Sequence, residues 1–483
     1  MAVLINSDMI CSTYNSLHYK LDADIDLEGE KLFVIGDGSY TSSVFLGTFD
    51  GAGHTISNFR LEDEAINQSN FTTVYLPYVG LFGQASATAV APCEIKNLTL
   101  KDYTVNLHPA RVADSPDNPI FAAGSVVGYA MGAEITNCHV EGAKIVSAGS
   151  YQKTQFIGGI VGVLQSVDVA MSSGQVVYDT YLNGCSANVD LEGTGTPFTA
   201  GGLVGYLLSV DENAIAYVIN CSSAGSVRGA RQTGGIVGTL GRYTSVTACY
   251  SNAEVVARND IPGANVQYAH AYAGGIAGYA DEDTVIAYCC SAGEYYSAHS
   301  STPANGALTF EHTDYILGGK EPAGVTAANS CATVTHKNAK YVNNDTFTQL
   351  GWSASEWNLT GAMPVPVVVE SDKDVKLKVY SGSDSVDQFA GERLPVAGWY
   401  AQNLMDKYPE NPAGNGRSWG YYFDEQLTQR VPLGFVPLGD ETLYVGFADY
   451  SEVVGKYYIS PLKNSRNGYV ELTADGRAIV RNG

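Results

Sequence analysis

Asp168 and Asp211 each stand six residues after the last glycine of a Gly-rich pentapeptide, GGIVG at 158–162 and GGLVG at 201–205. If the pentapeptides stack, the two carboxylates fall on neighbouring rungs about 5 Å apart, with Glu212, Asp281 and Glu282 near the same edge. Two kinds of chemistry fit that spacing. A retaining glycosidase uses a carboxyl pair about 5 Å apart, one as nucleophile and one as acid. Calcium takes the same oxygen ligands, and Asp281 with Asp283 is the second pair that offers them. The same count from the next two pentapeptides lands on Thr244 and Thr284, so the row is not uniform. Acids in solvated loops of a chain with net charge −23 are the plainer reading.

Aromatic residues are the other candidates. Tyr178, Tyr181, Tyr206, Tyr243, Tyr295 and Tyr296 crowd the same region, and tyrosine supplies flat, amphipathic contact area to sugars or proteins. Most tyrosines in such a chain instead cover strand faces. The histidines show no HxxxH spacing, and His139-Val140-Glu141 lacks the P-C-x-x-C that a zinc deaminase needs. There is no CxxC pair, G-x-S-x-G elbow or phosphate-binding G-x-x-x-x-G-K loop. No cofactor is implied beyond calcium at the acidic edge.

The elements that must position these groups are repeats. The pentapeptide returns as GGIVG at 234–238 and GGIAG at 274–278, with weaker relatives VGLFG (79–83), GSVVG (124–128) and LGG (317–319). Between copies runs a second motif: ISNFRL (56–61), IKNLTL (95–100), ITNCHV (135–140), LNGCSANV (182–189) and later forms. Its key column reads Phe59, Leu98, Cys138, Cys185, Cys221, Cys249, Cys289, Cys331. A column in which Cys exchanges with Leu and Phe is a packing column, so unpaired, buried thiols are expected. Short strands repeated at variable intervals predict a parallel β-solenoid, all-β, each coil burying its apolar face on the next. In this reading the GG pair turns a corner and the final Gly leads into the next bend. A short helix over 6–17 is expected to cap the N-terminal coil.

Composition narrows the function. With 50 Asp+Glu against 27 Lys+Arg, the chain is unsuited to nucleic acid. No apolar run of 18 residues offers a membrane span, and the opening MAVLINSDMICS lacks a signal-peptide pattern.

GGLVG at 201–205, together with YKLDADIDLEG (19–29) and FLGTFDGAGHTISNFRL (45–61), resembles the GLUG-motif repeat family of bacterial surface proteins. That resemblance covers about residues 5–335 and implies a right-handed parallel β-helix, secretion or surface display, and an adhesive role. GERLPVAGWY (391–400) and GYYFDEQLTQRVPLGFVPLGDETLYVGFADY (420–450) partly resemble the β-grasp-like repeats that follow adhesive regions in such proteins. Here Phe447 replaces the terminal Trp and 401–419 splits the motif. The expected domains are a β-helix over 1–360, a small β-rich module over 361–450, and a hairpin or extension over 451–483 with a tight Asp475-Gly476 turn. The functional expectation is a monomeric, non-catalytic adhesin-like protein of the cell surface or exterior. It binds a glycan or an extracellular protein ligand through the insertions 105–123, 165–181 and 297–316. A β-helical polysaccharide hydrolase or lyase using Asp168 and Asp211, and a purely structural stalk, are the alternatives.

Overall fold

The computed structural model describes residues 14–36, 44–67, 72–112, 120–148, 154–171, 174–193, 198–210, 214–229, 231–258, 271–281, 284–287, 289–293 and 295–299. Beyond these it describes short segments, mostly strand backbone, between 309 and 481. The chain divides into two compact units, Met1–Val369 and Glu370–Gly483. The first is a parallel β-helix, and no α-helix occurs among the described residues. Tyr14 to Leu17 form turns rather than the expected helix, and the rest of that stretch lies outside the described residues.

One coil shows how the sequence winds. Gln155–Gly158 is a strand, Gly159-Ile160 bends, and Val161–Gln165 is the next strand. Thr180–Asn183 and Ser186–Gly193 then carry the chain back to Phe198–Gly201, the start of the following coil. Equivalent strands pair in parallel register: Ile157 with Ala200, Val161 with Val204, Leu182 with Val218, Leu191 with Val227. Inward columns such as Phe49, Ile95, Ile135, Leu182, Val218, Val246 and Ile286 make one continuous core. Each rung buries its apolar side on the rungs above and below.

The pentapeptide works differently from the expectation. Its bend sits at the second Gly and the following Ile or Leu, and the final Gly is the second residue of a strand rather than the lead into a bend. Close approach, not a special dihedral, demands glycine here. A Cβ on Gly201 would lie 1.9 Å from the Val204 carbonyl oxygen, one on Gly202 2.0 Å from that of Gly235, and one on Gly205 2.6 Å from that of Gly162. So the first Gly permits the fold-back within a coil, and the other two let neighbouring coils touch backbone to backbone. The 317–319 copy is shifted: Leu317 pairs with Ala277 and Gly319 with Tyr279, so these residues lie in the strand after the bend.

The Asn-Cys motif is a corner. Asn97, Asn137, Asn220 and Ala248 adopt φ between 50° and 55°, and Gly184 φ 63°. This left-handed region tolerates Asn and Gly best. The Asn137 amide donates to Asn97 Oδ1 at 2.9 Å, and that of Asn97 to Asp50 Oδ1 at 3.0 Å, tying successive corners together. The next side chain points inward, which gives the column Leu98, Cys138, Cys185, Cys221, Cys249, Cys289 its burial. Among the described residues seven cysteines, Cys93 and Cys290 among them, are buried thiols outside any disulfide. The thiols donate to carbonyls two residues back or one coil back, as Cys221 does to Ile219 O at 3.0 Å and Leu182 O at 3.4 Å.

Two members of the column are reassigned. Thr99 pairs with Thr55 and Leu100 with Ile56, which places Phe59 at the following corner, where it stacks on Tyr103 at 4.3 Å. Cys331 pairs with Cys290, one residue past the column.

In the second unit, Asp374–Ser381 and Asp384–Glu392 form a hairpin. Its first strand runs parallel to Glu441–Phe447, which pairs antiparallel with Trp419–Tyr422. A separate three-stranded sheet joins Lys456–Tyr458, Tyr469–Leu472 and Ala478–Arg481. Leu472 pairs with Ala478, and the expected Asp475-Gly476 turn lies outside the described residues.

Candidate functional site

Asp168 does not take the coil position that the six-residue count gives it. Asp168 lies on an antiparallel hairpin, Val167–Met171 with Gly174–Tyr178, that leaves the coil. Thr244 and Thr284 open coil strands, and Thr244 pairs with Ala216 and so shares the rung position of Thr180. The hairpin, starting at Val167, is the extra length that breaks the six-residue count. Asp211 and Asp283 lie outside the described residues, while the Asp281 amide donates to Leu240 O at 2.9 Å. Among the described residues no three His, Cys, Asp or Glu side chains converge as metal ligands.

The tyrosines separate into different environments. Tyr295 is 3% exposed, in the core column with Val255, and presents no free ring face; this corrects its place among the ligand candidates. Tyr206 stacks on Phe156 at 4.8 Å within a small apolar cluster that includes Ala122 and Val163. That cluster belongs to a seam where the two strands flanking each Gly bend face one another. Tyr129, which donates to Gln165 Oε1, has its phenol pushed up to about 12 by burial there. The seam is packing.

Tyr178 ends the hairpin and is half-buried, its Cβ close to Gly132. Tyr243 takes φ 56° at a corner with the Arg242 guanidinium 5.0 Å from its ring centroid. Tyr181 stacks on Tyr217, and Tyr296 stands half-exposed beside Val256.

Tyr296 belongs to a face that carries an open cleft. This face is built from Thr104–Leu107, the end of Ala133–Ser147, Ser186–Gly193, Ser222–Gly229 and Glu254–Arg258. Alternation sends Ile145, Leu191, Val227 and Val255 inward. Two columns point outward: Lys144, Asp190, Ser226, Glu254, and Val146, Glu192, Arg228, Val256, Tyr296.

The strands carry two irregularities. A register shift between Glu141 and Ala143 leaves Gly142 without a partner, and Gly225, at φ 93°, is paired with Val189. Any Cβ on Gly225 would lie 2.1 Å from Val189 O, so this position carries no side chain into the cleft. The result is an open cleft of about 450 Å³ lined by Lys144, Asp190, Glu192, Ser226, Arg228 and Glu254, with Val146, Leu191 and Gly225. The Ser226 hydroxyl donates to Asp190 Oδ1 at 2.9 Å, and Arg228 pairs with Glu254 at 3.1 Å. Lys144 and Glu192 make no ion pair among the described residues. Charged donors and acceptors therefore alternate on a rigid ladder.

Sequence reasoning missed the cleft. The signal available was the alternation KIVS, DLEG and SVRG, whose charged residues Lys144, Asp190, Glu192 and Arg228 all fall on alternate positions in three successive coils.

Comparison with known proteins adds one motif. The GLUG motif matches residues 121–146, which span a degenerate pentapeptide and the Asn-Cys corner after it. The chain carries a GLUG motif. Such motifs occur in bacterial extracellular proteins. A crystal structure from Bacteroides ovatus, of a protein described as a candidate immunoglobulin A1 protease, is 18% identical with a TM-score of 0.42. The similarity covers 74% of this chain and 87% of that one, and at this strength it carries no inference about activity. No match was found among curated proteins. No helix among the described residues is long and apolar enough to cross a membrane.

Proposed function

We propose that this GLUG-motif β-helix is an extracellular, non-catalytic binding protein that takes a glycan in the Lys144–Glu254 cleft. One observation carries the reading: an open cleft of about 450 Å³ whose walls are polar and charged. That volume lies within the range of ligand sites, whose walls are ordinarily mostly apolar. A polar-walled site suits a polyhydroxylated ligand. Sugar hydroxyls donate to Asp190 and Glu192 and accept from Lys144 and Arg228, and charge-assisted hydrogen bonds are the stronger kind. Tyr296, in the column of Glu192 and Arg228, offers a ring face to a neighbouring sugar.

The test is a glycan array with the full chain, followed by calorimetry and a reducing-sugar assay on the best ligand. Binding without sugar release, weakened at least tenfold in Lys144→Met and Glu192→Gln, is the expected result. Sugar release would move the protein to the hydrolase reading, and affinity unchanged in both variants would remove the cleft from the account.

A further inference from the structure

The Lys144–Glu254 cleft is one stretch of a longer exposed face, and its shape bears on what can lie in it. Parallel rungs stand about 4.8 Å apart along the helix axis, and residues two apart on one strand about 6.7 Å apart. The two outward columns are therefore the walls of a trench that runs along the axis. Leu191, which lines the cleft between Asp190 and Glu192, forms part of its floor. From the rung of Lys144, across those of Asp190 and Ser226, to that of Glu254, the trench is roughly 14 Å long.

The two ends of the trench differ. Toward the N-terminal coils the columns stay polar: Lys144 pairs with Thr104 and Val146 with Asn106, and these in turn pair with Arg60 and Glu62. The last two are already engaged. The Arg60 guanidinium donates to Gly29 O at 2.7 Å, and Lys31 pairs with Glu62 at 3.0 Å. Thr104 and Asn106 are neutral and exposed, so they extend the trench by one rung of hydrogen-bonding side chains. Toward the C-terminal coils the second column turns apolar, with Val256 buried and Tyr296 half-exposed.

We infer that the trench holds an internal stretch of a linear, unbranched polysaccharide laid along the helix axis, about five sugars long, rather than a single terminal sugar. This rests on the glycan reading of the cleft and adds the form of the ligand to it. Width is the first reason. Walls about 6.7 Å apart admit one chain of sugar rings, and a branch would have to cross a column of side chains. Length is the second. A linear pyranose chain advances about one rung per sugar, so each unit meets the next row: Thr104 and Asn106, Lys144 and Val146, Asp190 and Glu192, Ser226 and Arg228, then Glu254. An extended peptide fits worse, because its like-facing side chains recur about every 6.7 Å and fall out of step with the rungs. Charges of both signs line the trench, so hydroxyl groups, which both donate and accept, find a partner along it.

The experiment is calorimetric titration of the full chain with three ladders of one to six sugars: cello-oligosaccharides, chitosan oligosaccharides and oligogalacturonides, which are neutral, basic and acidic. One ladder should bind at least tenfold more tightly at three units than at one, gain further up to about five, and gain nothing at six. Reducing its hexasaccharide to the alditol should leave the affinity within about twofold, because no chain end is read. Asn106→Ala, at an exposed position on the outermost row, should remove the gain beyond four units. A monosaccharide that binds as tightly as its trisaccharide, an affinity lost on reduction of the chain end, or a length series indifferent to Asn106→Ala would overturn the inference and leave the glycan reading standing. Failure of all three ladders would do the same if the array gives a branched or single-sugar ligand. Should no sugar of any kind bind, both fall together.

Discussion

The pentapeptide seam and the cleft face are made from the same rungs, yet side chains close the first and leave the second open. At the seam, each coil folds back over two or three glycines, and outward residues of two strands meet: Tyr78 with Tyr129 at 5.1 Å, Phe156 with Tyr206, and Thr239 with Gln232 at 2.6 Å. On the cleft face a single run of strand crosses each coil, and Lys144, Asp190 and Glu192 stand exposed. Where the chain doubles back, outward positions become a second small core. Where it runs straight, they remain available for recognition. Aromatic content is therefore a poor guide to binding in this fold, and the geometry of the corner decides.

The strongest way to break that contrast is a methyl group at the seam. Gly202→Ala puts a Cβ 2.0 Å from a backbone oxygen that has no room to move, and should cost roughly 3 kcal/mol or more. Gly53→Ala, at φ 80° with nothing within 4 Å, should cost only about 1 kcal/mol. Denaturant unfolding of both variants checks the ranking, and equal losses would contradict the close-approach account.

The next effect is on the pH dependence. The Asp179 carboxyl is raised to about 6 in the folded state, above its unfolded value near 3.9. The folded chain therefore holds more protons between about pH 4 and 6, and this group's contribution to stability falls as pH rises through that window. The swing is on the order of 2–3 kcal/mol for a group this buried. Comparing the stability–pH curves of wild type and Asp179→Asn isolates it, and parallel curves would refute it.

Tyr217→Phe should stabilise the free protein by roughly 1 kcal/mol, since it removes an orphaned buried hydroxyl. Destabilisation instead would mean that the hydroxyl is satisfied in solution.

The smallest effect belongs to the cleft. Lys144→Met and Glu192→Gln should each change stability by no more than about 0.5 kcal/mol, because their side chains are exposed and unpaired, while glycan binding is lost. A large stability loss would show that the cleft charges hold the face together.

Much of the helix was legible in the sequence. The pentapeptide and the Asn-Cys motif recur because parallel rungs place equivalent residues in equivalent surroundings, so Leu98, Cys138, Cys185, Cys221, Cys249 and Cys289 align as read. The misalignments share one cause. Phe59, Cys331 and the 317–319 glycines were matched by local likeness, whereas register is fixed by backbone pairing along the whole strand. The site was less legible. Asp168 was placed by a count that a hairpin interrupts, and Tyr295 looked like Tyr296 although adjacent strand residues point to opposite sides.

By itself, then, the sequence determined the winding: glycines where backbones touch, Asn where the chain turns left-handed, Cys and aliphatic residues where rungs stack. These are demands of a repeated local geometry, and each copy restates them. The tertiary structure alone decided which outward columns are covered and which are open. That depends on how sharply two strands fold against each other. It also set Glu134, Tyr181 and Tyr217 in one column, since residues from successive coils meet only once the register between coils is set.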